Sequence, residues 1–262
     1  MRLLENTPVR EIRKFGLILS SSRKVQPKRS GVSVERLRPL QYPEHDYEAD
    51  YAYVDGFNLF YGLLKGTKDL WLDPVEFVRR LLRDDHDIQK VKYFSAPLKT
   101  YPYDRDAVES QNAYFQALST LPKVELILGF YSKNPTYFPA YDESCRNCEK
   151  AKDGMVRVVK LEEKRSDVNI ATSMVLDAVN NRAESFVLVS GDTDFIGPVN
   201  IVRKDYGKNV IVLNPHTRRS DLKQYASYYK DIPRDLPSQC QLPDEIPIGT
   251  YGNIIRRPLS WQ

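Results

Sequence analysis

The sequence predicts an α/β fold, a mostly parallel sheet with helices on both faces. Three observations carry this. Short apolar runs recur along the chain, at residues 51–54, 91–96, 124–130, 186–189 and 210–213. Amphipathic stretches of helical period separate them. Several of the runs are apolar throughout rather than alternating, as strands buried on both faces must be.

The rhythm starts near Tyr51, where a short apolar run ends in Asp55-Gly56, a strand followed by a turn. Residues 59–64 read as helical. Asp73-Pro74 is a helix start, with Asp as N-cap and Pro in the first turn, and Val75, Val78, Leu81 and Leu82 share one face. After the strand at 91–96, residues 104–121 carry Ala107, Val108, Tyr114, Phe115 and Leu118 at helical spacing. A third strand is expected at 124–130. Residues 132–153 read as irregular, rich in aromatics and prolines, and 156–161 as a strand or hairpin arm. Residues 166–179 form a helix expected to turn Val168, Ala171, Val175, Leu176 and Val179 inward. Strands at 186–189 and 210–213 flank a helical stretch at 196–202.

This pattern divides the chain into a basic N-terminal extension (1–48), an α/β domain (49–232) and a proline-rich, extended C-terminal tail (233–262). A short strand is expected at residues 15–19 of the extension. The net charge of +4 is uneven: residues 1–45 hold ten Lys/Arg against four Asp/Glu, so the body is nearly neutral. Such an extension adds sequence-independent affinity for phosphate backbones, or is simply a solvated tail. No apolar run approaches the roughly 18 residues of a membrane span, and no signal peptide is evident, so a cytoplasmic protein without membrane attachment is expected. Three cysteines do not make a disulfide framework. Cys145 and Cys148 have the spacing of half a structural zinc site, with distant Cys240 and His216 as the candidates to complete it.

Sites in parallel α/β sheets form beyond the carboxyl ends of the strands. Asp55 follows the first strand, and Asp192 and Asp194 follow the strand at 186–189. Carboxylates brought together there repel one another, and a hard cation taking oxygen ligands resolves the conflict, Mg²⁺ or Mn²⁺ best. Asp167, at the start of a helix, is explained equally well as a cap. Asn58 is placed to bond a bound water or a phosphate, or to cap a helix. Ser190 and Thr193 can donate hydroxyls to the acids or to phosphate oxygens, and Lys164 can offset phosphate charge.

Three segments carry a resemblance: Tyr53-Val-Asp-Gly-Phe-Asn-Leu-Phe60, Glu163-Lys-Arg-Ser-Asp-Val-Asn-Ile-Ala171 and Val189-Ser-Gly-Asp-Thr-Asp-Phe195. In this order they resemble the signatures of the NYN domain family, within the PIN-like nuclease superfamily, and most of all its LabA-like bacterial group. The resemblance covers about residues 50–215. It implies a Rossmann-like, PIN-type three-layer α/β/α fold and a Mg²⁺- or Mn²⁺-dependent nuclease acting mainly on RNA. It places the metal-holding acids on Asp55, Asp167, Asp192 and Asp194, and a polar catalytic residue on Asn58. Metal-assisted phosphodiester hydrolysis follows. Further phosphate contacts fall to Arg165, Arg203, Lys204, Lys208, Arg218 and Arg219, and base stacking to Tyr131, Tyr137, Phe138 and Tyr141. The alternatives are an inactive RNA-binding or scaffold module on the same fold, and another metal enzyme using Asp192 and Asp194 alone. Oligomeric state is open, with a homo-oligomer compatible with the sequence.

Overall fold

The computed structural model describes residues 49–99, 105–139, 155–249 and 252–262. The expected strand at 15–19, Tyr141, Cys145 and Cys148 lie outside these residues. Six parallel strands form the central sheet: β1 (Ala49–Asp55), β2 (Asp87–Ser95), β3 (Val124–Leu128), β6 (Ser185–Val189), β7 (Asn209–Asn214) and β8 (Tyr228–Asp231), in the order β3-β2-β1-β6-β7-β8. Two further strands, β4 (Phe130–Pro139) and β5 (Met155–Lys164), form a separate antiparallel hairpin.

Alternate residues of each central strand enter opposite layers. Ala52 and Val54 of β1, Val187 and Val189 of β6, and Ile211 and Leu213 of β7 face one core. That core is filled from α1 (Gly56–Leu59) with its continuing π-helical turn Phe60–Leu64, from α2 (Pro74–Leu81) and from α3 (Arg105–Ser119). Tyr53, Phe186, Leu188, Val210 and Val212 face the second core, against α4 (Ser166–Val179) and α5 (Ile196–Asn200). The result is the three-layer α/β/α sandwich expected from the apolar runs.

Local chemistry sets several boundaries. Asp73 caps α2, its Oδ1 accepting from Val75 N at 2.9 Å and Glu76 N at 3.1 Å. At the end of β1, a Cβ on Gly56 would lie 2.6 Å from Phe94 O, so only glycine lets the chain turn into α1 against β2.

Four expectations are corrected. Residues 132–139 are not irregular, since 130–139 pair with 155–164 over ten positions, while 140–153 lie outside the described residues. Pro135 is tolerated there because a two-stranded ribbon has open edges. The inward face of α4 is Ile170, Met174, Asp177 and Ala178, whereas Val168 (68% exposed), Leu176 and Val179 face solvent. The sheet has a sixth strand, β8, beyond the five apolar runs; its edge position leaves Tyr228-Tyr-Lys-Asp231 without such a run. The segment after Pro233 is part of the body, within one unit spanning 44–262. Its Leu236, Cys240, Leu242 and Ile255 are buried, Pro243 O accepts from Trp71 Nε1 at 2.9 Å, and Trp261 packs on Trp71 and Tyr114. Two short strands, β9 (Glu245–Ile248) and β10 (Asn253–Arg256), form a hairpin within it.

Asp177 enters the α4 core because it has partners. Lys92 Nζ of β2 meets its Oδ2 at 2.5 Å, Tyr53 Oη donates to the same atom at 2.7 Å, and Arg182 reaches Oδ1 at 3.3 Å. Lys92 and Asp177 are both buried. Removing one partner leaves an uncompensated charge, so Asp177→Ala is expected to cost about 3–5 kcal/mol in urea unfolding. The double replacement Lys92→Met with Asp177→Leu is expected to recover most of that loss. A single variant as stable as the parent would contradict this account.

Candidate carboxylate site

The strand order reverses direction from β1: β2 and β3 lie on one side, β6, β7 and β8 on the other. The crevice between the carboxyl ends of β1 and β6 is therefore the switch point where ligands bind in such sheets. Val54 pairs with Val189 there, so the residues just beyond, Asp55 and Ser190, arrive side by side. Asp55 is buried. Its Oδ1 accepts from Asn58 N at 2.9 Å, capping α1, and its Oδ2 accepts from Ser190 Oγ at 3.0 Å. Asn58 returns across the crevice, its Oδ1 accepting from Gly191 N at 2.8 Å. Gly191 is required by crowding, since a Cβ would stand 2.4 Å from Asn214 Oδ1. Asp192 is held by its N–H on Ser190 Oγ (3.2 Å) and caps the next turn by accepting from Asp194 N at 3.0 Å.

A cavity of about 390 Å³ opens over these groups, with Asp55, Asn58, Glu163, Asp167, Asp192 and His216 on its wall. Asp167 reaches it from the first turn of α4, and Glu163 from the end of β5. Glu163 also accepts from Ser166 N (3.1 Å) and Ser166 Oγ (2.7 Å), fixing the β5–α4 corner, where Arg165 takes φ +86°.

The acids feel one another. Burial pushes Asp55 up to about 6; its two hydrogen bonds pull it down, and Asp167 and Asp192 raise it further. Asp167 is also raised, by desolvation first and then by Asp192, Glu163 and Asp194. Among the described residues, no three His, Cys, Asp or Glu side chains are already gathered tightly enough to hold an ion. Uncompensated carboxylates repel, so a cation would have to draw them in. The donor set fits a hard cation, for the cavity wall carries carboxylate oxygens and no thiolate.

The remaining candidates sort by position. Asp194 is exposed at the rim, acting on Asp167 through its charge. Ser190 is wholly buried behind Asp55, so it orients the acid and has no access to a substrate. Thr193 is exposed and does not line the cavity. Lys164 is engaged by Glu162 at 2.9 Å and lies off the wall. Arg165 lies 4.8 Å over the Phe130 ring. Arg218 and Arg219 are exposed beyond the end of β7, on the site's side. Arg203 and Lys204 precede β7 at the opposite end, and Lys208 there is buried, bonded to Glu184 and Asn181, so these three cannot serve the crevice. Tyr131 is buried on the cavity wall, while Tyr137 and Phe138 are exposed on the hairpin. Cys240 is buried beside α2 and His216 lines the acid cavity, while Cys145 and Cys148 lie outside the described residues. Sequence reasoning missed Glu163 and His216 as site residues. Glu163 stood inside the motif used to find Asp167, whereas His216 has only its place just past a strand end as a signal.

The architecture and the acid-walled switch point define a domain of the nuclease type. The NYN domain family model matches residues 53–233, and the chain belongs to that family. Over 238 residues it is 29% identical to 6-hydroxy-3-succinoylpyridine 3-monooxygenase HspA of Pseudomonas putida (strain DSM 28022 / S16), covering 80% of this chain and 74% of that protein. The crystal structure of a protein of unknown function, VPA0982 from Vibrio parahaemolyticus RIMD 2210633, is similar with a TM-score of 0.45 and 18% identity, over 75% of this chain and 97% of the other. No helix among the described residues is long and apolar enough to cross a membrane.

Asp55 makes the site costly to folding. Its proton is held more tightly in the folded chain than in the unfolded one, so its contribution to stability falls as pH rises from about 4 to about 6 and stays low above that. In the absence of divalent ions, Asp55→Asn is expected to match the parent below about pH 4. At neutral pH it should exceed the parent by up to about 3 kcal/mol. Thermal melts across pH 3.5–8 check this, and a variant less stable than the parent at neutral pH would overturn it.

Proposed function

We propose that the chain is a metal-dependent nuclease that hydrolyses phosphodiester bonds in RNA. The observation that carries this reading is the convergence of Asp55, Asp167 and Asp192, from three separated segments, on one open cavity at the sheet's switch point. Mg²⁺ or Mn²⁺ would be held by these three, with Asp194 and Glu163 at the edge. Bound there, the ion supplies Lewis acidity toward a phosphodiester and neutralises the clustered charge. The chain's own residues do the rest. Asn58 N and Ser190 Oγ keep Asp55 from turning away from the cavity. With its Oδ1 engaged by Gly191, Asn58 offers its amide Nδ2 as a neutral donor to a phosphate oxygen. His216, on the same wall, is the candidate donor of a proton to the leaving oxygen in this reading. Arg218 and Arg219, exposed beyond β7, offer charge to the flanking backbone.

A second reading takes the printed name of the Pseudomonas relative as its guide: an enzyme acting on a hydroxylated pyridine. The observation favouring it is an aromatic-walled chamber that adjoins the acid cavity.

Purified protein should cleave labelled single-stranded RNA with Mn²⁺ or Mg²⁺ and stop on chelation. Asp167→Asn, the acid that a helix cap alone could explain, should slow cleavage by about 10²–10³. RNA binding without cleavage would favour the inactive module, and full activity in Asp192→Asn/Asp194→Asn would sink the nuclease reading. Consumption of 6-hydroxy-3-succinoylpyridine with dioxygen and a two-electron donor supplied would favour the second.

A further inference from the structure

A second cavity, about 280 Å³, lies beside the acids between α1, α3 and the end of β2. Its character is opposite. No Asp, Glu, Lys, Arg or His is among the described residues that line it. Its walls are aromatic, with Phe57, Phe60, Tyr61, Tyr114, Tyr131 and Trp261 contributing rings. Phe57, Tyr61 and Tyr131 line both cavities, so the two spaces share one partition. Phe57 and Tyr131 meet edge to face across it, ring centres 6.0 Å apart, while Tyr61 is 57% exposed.

Some polar atoms of the chamber are already engaged. Tyr114 Oη donates to Leu72 O at 2.9 Å. Gln111 accepts from Leu98 N at 2.7 Å and donates one amide hydrogen to Ala96 O at 3.2 Å. The second amide hydrogen of Gln111 and the hydroxyl of Ser95 are among the groups placed to read the edge of a bound molecule. The volume is close to the lower end of small-molecule sites, about 300 Å³, which suits one ring system rather than a larger ligand.

We infer that this chamber is a binding subsite for a planar heteroaromatic ring whose anionic substituent reaches past Phe57 and Tyr61 to the carboxylate centre. The inference rests on the carboxylate cavity being the reacting site, as proposed above. Flat aromatic walls favour a π-faced ring over a saturated one. Polar atoms such as the Gln111 amide and the Ser95 hydroxyl among them favour a ring with heteroatoms, which can pair with them where an apolar ring cannot. The shared partition brings the substituent to the acids, where a cation would bridge like charges. A nucleobase with its phosphate and a free hydroxypyridine acid both have this chemistry.

Calorimetric titration of the full chain with Mn²⁺ separates the outcomes. The probes are cytidine 5′-monophosphate, 6-hydroxynicotinic acid and cyclohexanecarboxylate. At least one aromatic probe should bind about 10-fold or more tightly than the saturated acid. Ala107→Phe, which fills the chamber from a half-buried position on α3, should weaken that binding about 10-fold or more, with a melting temperature close to the parent's. Should that variant not fold, Tyr61→Ala, altered at an exposed side chain, makes the same test. Tighter binding of the nucleotide assigns the ring to nucleic acid, and tighter binding of the pyridine assigns it to a small molecule; either supports the subsite. Equal binding of the saturated acid, no binding of any ring, or unchanged affinity in the folded variants overturns it. Ring binding without RNA cleavage leaves the subsite standing and removes the nuclease reading. Cleavage without ring binding does the reverse.

Discussion

The carboxylate of Asp55, buried where β1 ends against β6, is the constraint on which this end of the molecule depends. A buried charge needs hydrogen bonds or a counter-charge. Asn58 N and Ser190 Oγ supply the first, and in doing so they join α1 to the loop after β6. Asn58 closes the same join from the other side through Gly191 N, and Ser190 passes it on to Asp192 N. These bonds hold two chain segments, residues 55–58 and 190–192, in register at the switch point. They do not neutralise Asp55, which stays well above the ordinary carboxylate range. The unresolved charge is borne as a cost to folding.

The second buried carboxylate, Asp177, meets the same physics with a different outcome. Lys92, Tyr53 and Arg182 satisfy it fully, and nothing is left for chemistry. It pins α4 to β1 and β2 instead, and α4 carries Asp167 at its first turn. The structural pair thus holds in place the helix that carries Asp167, a candidate site acid, in its first turn. Comparing the two shows why burial alone does not mark a site: Asp55 faces a cavity and other acids, whereas Asp177 faces partners.

Two adjoining cavities of opposite character lie at this end of the sheet. One is acidic and open, the other aromatic and uncharged among its described lining residues. The C-terminal segment builds part of the second, through Trp261 packed on Tyr114 and Trp71. A nuclease-type domain of the NYN family therefore carries, next to its acids, a chamber that the family's acidic motifs do not encode.

The sequence by itself determined the layered α/β fold. Strands buried on both faces must be continuously apolar, and that pattern survives without any knowledge of neighbours. It also placed Asp55, Asp192 and Asp194 past strand ends, because strand ends are local features. Asp167 depended on resemblance, since a helix start explains it equally well. Only the tertiary structure decided the rest. The face of α4 was misread because its inward stripe contains Asp177, acceptable there only through Lys92 on a distant strand. Pairing of 130–139 with 155–164, the edge strand β8 and the packing of the C-terminal segment all rest on long-range partners that no local period reveals. Likewise Ser190, which read as a donor to the acids or to phosphate oxygens, donates to Asp55 and is buried away from a substrate, because access is a property of the folded surface and not of the residue.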